Sequence, residues 1–135
     1  MANGTIAFDT LSTSGQISGT AVSVDADYLA YGSAKQWCHY SGAGTPAIAD
    51  SFNVASLTDN STGAHFQNAA NNFANDDFSV TAMARDENKL TCITEYGTTL
   101  PRTTSTVFTQ CFDIAGNGAA EDADGRSVVV HGDLA

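Results

Sequence analysis

The sequence predicts an all-β fold, an antiparallel β-sandwich of about eight to ten short strands. Three observations predict it. Apolar and polar residues alternate with period two in one short segment after another. Gly, Asn, Asp and Pro separate those segments, and no sustained helical period intervenes. Only 15% of the 135 residues are charged, so the polar surface has to come from Thr, Ser, Asn and Gly, a composition that suits turn-rich β proteins. A barrel fits the same pattern less well.

The elements follow in chain order. "TIAFDTL" sets Ile6 and Phe8 on one face, and "GTAVSVD" does the same with Val22 and Val24. Short strands are expected around Tyr28–Tyr31 and Ala34–Tyr40. In the strand containing "QWCHY", Cys38 shares a face with Gln36 and Tyr40, while Trp37 shares the other with Lys35 and His39. Cys38 and His39 therefore cannot close on one metal, and Trp37 is read as a core anchor. "PAIADSFNVASL" continues the alternation from Ile48 to Leu57, with a break expected at Asp50–Ser51.

"TDNSTG", Thr58 to Gly63, is a turn: Asn and Asp bond their own backbone, and Gly accepts positive φ. "HFQNAANNFANDD" reads as a short strand followed by a loop. "FSVTAM", "KLTCITEY", "STVFTQCFDI" and "SVVVHG" complete the set, and Pro46 and Pro101 fall between strands. At this length a single domain over 1–135 is expected, with 1–14 as an assembly arm.

Charge narrows the partners. Fifteen acidic residues against five basic ones give a net charge of −10, a field that repels phosphate backbones and anionic lipid. Nucleic-acid partners are not expected. Membrane insertion is not expected either, because no run approaches the roughly 20 apolar residues of a spanning helix. The opening "MANGTIAFDT" lacks the basic and apolar regions of a signal peptide. Cys38, Cys92 and Cys111 are odd in number and widely spaced, which reads as reduced thiols in a cytoplasmically folded chain.

Catalytic and metal chemistry find little support. His39, His65 and His131 stand far apart with no paired Cys or His, so no metal and no cofactor is expected. In "EDADGRS", Asp122, Asp124 and Gly125 match three positions of a helix-loop-helix calcium loop, but Ala120 and His131 occupy two of its ligand positions. A solvated acidic hairpin tip is the expectation there. There is no G-x-S-x-G, and "SGAGTP" reads as a loop. The expectation is a protein that is not an enzyme.

Three stretches, "GSAKQW", "TPAIADSFNVASLTDNSTG" and "NNFANDDFSVTA", resemble in this order a module of structural proteins of marine tailed bacteriophages, found at the C-termini of tail-fibre-type proteins. The opening "NGTIAFDTLSTSGQISGT" and closing "VVVHGDLA" are similar to short members of the group. The chain departs from that pattern at Cys38, His39 and Tyr40, at Ala49, and in "AHFQNAANNF". The resemblance implies a virion-surface β domain, a homotrimer in the manner of fibre tips, assembled in the host cytoplasm and carrying no catalytic residues. At 135 residues it would be a standalone knob for host-surface attachment. A capsid decoration protein is the alternative. A glycan-active virion enzyme is less favoured; it would need two facing carboxylates about 5–9.5 Å apart.

The expected partners are other virion proteins and a host-surface glycan or protein. Binding is expected in loops, at Tyr96, Arg102, Asn117, Asp122 and Asp124, with Tyr96 stacking on a sugar and Arg102 donating to it. Ile6, Phe8 and Trp37 are the candidates for assembly contacts.

Overall fold

The computed structural model describes residues 16–18, 23–86, 91–94, 102–114 and 118–135. The expectations placed on Ile6, Phe8, Tyr96, Asn117 and the arm 1–14 lie outside them. The chain divides into two compact units, Met1–Ser33 and Ala34–Ala135, where a single one was expected.

In the first unit, strands β1 (Gln16–Ser18) and β2 (Ser23–Asp25) pair antiparallel, with Ile17 opposite Val24. Helix α1 (Ala26–Gly32) follows, which corrects the strand expected at Tyr28–Tyr31. Two tyrosines suggested a strand, but the segment holds no β-branched residue. Leu29 and Ala30 are strong helix formers, and Asp27 in the first turn complements the helix dipole. Among the described residues no helix is long and apolar enough to cross a membrane.

The second unit is the predicted antiparallel sandwich. Its strands are β3 (Gln36–Ser41), β4 (Ala47–Phe52), β5 (Val54–Ser61), β6 (Ala64–Ala69), β7 (Ser79–Arg85), β8 (Thr91–Thr94), β9 (Thr106–Asp113) and β10 (Gly125–His131). They form two four-stranded sheets, the first ordered β4-β3-β10-β7 and the second β5-β6-β9-β8. Every neighbouring pair runs antiparallel.

Period-two alternation sets the core. Cys38 and Tyr40 of β3, Val128 and Val130 of β10, and Val107 of β9 are buried between the sheets together with Phe73 and Phe78. Val54, Leu57, Ala69, Val80 and Ala82 pack around them. Trp37 belongs to the opposite face of β3, half-buried and outside this cluster. The reading of Trp37 as a core anchor is corrected accordingly: on a six-residue strand only one of the two faces meets the second sheet, and Cys38 and Tyr40 occupy it.

The chain passes from the first sheet to the second at Asn53, three residues after Asp50, so the break expected at Asp50–Ser51 lies further on. Asn53 has a left-handed φ of 57°, a region Asn reaches more readily than most residues. Its side chain ties the corner: Nδ2 donates to the Lys35 and Asn71 carbonyls at 3.1 and 3.0 Å, and Oδ1 accepts from the Asn71 amide at 2.7 Å. The turn between β5 and β6 closes on Gly63, with φ 75°. A Cβ there would lie 2.6 Å from the Cys111 carbonyl and 2.8 Å from the Glu121 amide, so only glycine fits.

Candidate functional site

Two groups of side chains carry polar chemistry, one between the sheets and one on the outer face of the first sheet.

Alternation along β6 turns His65 and Gln67 inward and Phe66 outward, where its ring meets Phe108. Gln67 Nε2 donates to the Tyr40 hydroxyl at 3.2 Å and to Thr109 Oγ1 at 3.1 Å, and those two hydroxyls lie 3.3 Å apart. This polar rung joins β3, β6 and β9 across the sandwich. Arg126 of β10, fully buried, donates from Nη1 to the Gly63 carbonyl at 2.8 Å and from Nη2 to the Glu121 carbonyl at 3.0 Å. Its guanidinium lies 5.8 Å from the Tyr40 ring centroid and 3.9 Å from Asp122 Oδ1. Such hydrogen-bonded charge inside a sandwich is costly to disrupt, because each lost partner leaves a desolvated group behind.

His65 is fully buried beside this arginine. Its Nε2 lies 3.7 Å from Asp59 Oδ1 and 4.0 Å from Asp122 Oδ1, beyond hydrogen-bond distance, and neither ring nitrogen is hydrogen-bonded among the described residues. Burial first, and then the Arg126 charge, hold its pKa below the usual histidine value against the opposing pull of Asp59 and Asp122. Burial pushes the Cys38 thiol up to about 11 and raises Tyr40 as well, so both stay protonated at neutral pH. Cys38 and Cys111 are free, buried thiols. Among the described residues no group of His, Cys, Asp and Glu is arranged to hold a metal ion. The inner cluster thus holds the sheets together, with no water-accessible nucleophile.

The outer face of the first sheet is different in kind. Strand register lines up its residues in rows. Phe52, Trp37, Val129 and Thr81 form one row, and Asp50, His39, Ser127 and Met83 the next. Gly125 and Arg85 stand opposite each other in a third. Phe52 is 51% exposed and Met83 72%. His39 Nδ1 and Ser127 Oγ are 3.0 Å apart. A depression of about 360 Å³ opens among His39, Met83, Ala84, Arg85, Gly125 and Ser127. The His39–Ser127 pair lies on β3 and β10, both of which are paired on either side, so their amides are engaged rather than grouped to stabilise an oxyanion. The pair suits hydrogen bonding to a ligand better than hydrolysis.

The loop residues named from sequence are used differently. Arg102 Nη1 donates to the Phe78 carbonyl, and its guanidinium lies 5.1 Å from the Phe78 ring centroid, bracing the core edge where Phe73 and Phe78 stack at 4.7 Å. Residues 121–124 are not a solvated hairpin tip. Glu121 N–H donates to the Cys111 carbonyl, Gly42 N–H donates to Ala123, and Asp122 Oδ1 accepts from Gly63 N–H at 2.6 Å. Asp124 is exposed. The structure does not bring Arg102 and Asp124 into one site with the outer face. His65, Gln67 and Arg126 went unnamed as a cluster because polar residues alternating on strands look like a solvent face in sequence. No family model, curated protein or solved structure matches the chain.

Proposed function

We propose that this chain is a non-enzymatic structural protein on the surface of a tailed-phage particle, and that its sandwich attaches the particle to a host surface. The observation that carries this reading is the outer face of the first sheet. Trp37 and Phe52 pair across β3 and β4 there, Met83 stands exposed nearby, and His39, Ser127 and Arg85 flank them. Monomers seldom leave aromatic and thioether side chains together in water without a partner. The resemblance to tail-fibre modules and the net charge of −10 agree with a soluble virion part. A homotrimer is part of the same proposal. The test is binding of labelled protein to intact host cells and envelope extract. Saturable binding at micromolar protein is expected; its absence overturns the reading.

Capsid decoration is the second reading, favoured by the separate unit Met1–Ser33, in which α1 exposes Tyr28, Leu29 and Tyr31. It predicts that deleting residues 1–33 abolishes particle association while the sandwich still unfolds cooperatively. Full association after that deletion contradicts it.

A further inference from the structure

We propose that the outer face of the first sheet binds neutral polysaccharide, with one sugar ring over the Trp37–Phe52 pair and a neighbouring unit in the notch above Gly125. The inference deepens the attachment reading and rests on it for its biological use.

The face has the two-sided chemistry of a sugar. A pyranose ring presents C–H groups on a face and hydroxyls around a rim. Trp37 and Phe52 offer a π surface for the former, and rows about 7 Å further along the strands offer polar groups for the latter. His39 Nδ1 and Ser127 Oγ, 3.0 Å apart, and the Arg85 guanidinium meet at the notch, where donors and acceptors both occur. Met83 forms a flexible apolar wall.

Gly125 makes the notch. It stands on the outward side of β10 opposite Arg85, and a Cβ built there meets only the Arg85 side chain, at 3.5 Å. The depression exists because that position carries no side chain, and any residue there would fill it without disturbing the strand.

Charge selects the class of glycan. No carboxylate lines the notch, so Arg85 is not neutralised within it, yet Asp50, Asp86 and Asp124 flank it in sequence and register. One cation ringed by three carboxylates, on a chain of net charge −10, repels a polyuronate or phosphorylated polymer and leaves an uncharged one unopposed. The same charge opposes closure of this face on a second copy.

Trp37 is the chain's single tryptophan, so its fluorescence reads occupancy of this face directly. The full chain is titrated with dextran, mannan and galactomannan, with polygalacturonate as the anionic comparison, and host-cell binding is measured on the same protein. At least one neutral polymer is expected to shift the emission saturably, with a dissociation constant on the order of 0.1–1 mM in binding units. Phe52→Ala, Arg85→Ala and Gly125→Val are each expected to weaken that binding about tenfold. Their side chains lie in the open, so unchanged thermal unfolding verifies the fold. Host-cell binding with no response of Trp37 to any neutral polymer overturns this inference and leaves the attachment reading standing. A neutral polymer that binds while host cells do not supports the site and removes its proposed use. Preference for polygalacturonate, or an emission shift driven by protein concentration alone, also overturns it.

Discussion

His65 concentrates the tension of this interior in one residue. Tyr40 faces it from β3, Asp59 from β5, Arg126 from β10 and Asp122 from the segment before β10, and it stays neutral because burial and the arginine outweigh the two carboxylates. With its folded pKa below the unfolded value of about 6.5, the unfolded chain takes up the proton first as pH falls. Stability is therefore full above about pH 6.5 and declines below it until the folded value is reached, by at most about 1.4 kcal/mol per pH unit. Urea unfolding at pH 7.5 and pH 5.5 should show the decline, and His65→Leu should remove that part of it. An unchanged pH dependence in the variant would mean that His65 is not the group responsible. Gly63 is the second residue on which the interior depends. Gly63→Ala places a methyl against two backbone atoms at a φ of 75°, and we expect a loss of about 3 kcal/mol or more, read as a lower denaturation midpoint.

Among the elements, Asn53 governs how the sheets are joined. It combines a left-handed backbone with four side-chain hydrogen bonds, to Lys35 and to three atoms of Asn71. Asn53→Gly keeps the backbone and loses the bonds; Asn53→Ala loses both. Alanine should therefore cost more, about 2–4 kcal/mol against about 1–2 for glycine, by chemical denaturation. Equal losses would show that the bonds alone hold the corner. The strands themselves were legible from period two, because Cys38, Tyr40, Val128 and Val130 alternate with residues that face outward. α1 was not, since its two tyrosines favour strands while local helix formers and Asp27 decide the outcome. Nor was the inner cluster legible. His65, Gln67, Thr109 and Arg126 come from three strands and meet only once register is set, and nothing local in "AHFQNA" marks them as buried. Trp37 and Phe52 fall on different strands for the same reason, so the outer face emerged from pairing rather than from any motif.

At the scale of the whole molecule, an acidic chain of 135 residues combines a rigid sandwich with a separate short unit. Its chemistry is divided by location: charged and hydrogen-bonded groups inside lock the sheets, and aromatic, thioether and donor groups outside await a partner. That division is what a part of a particle surface requires, and it is why we read the protein as one that attaches rather than transforms. The most direct measurement is gold-labelled antibody against this chain, imaged on intact phage particles by electron microscopy. The account predicts label at the tail or fibre tips. Particles without label would contradict it, and label spread over the head alone would replace attachment with decoration.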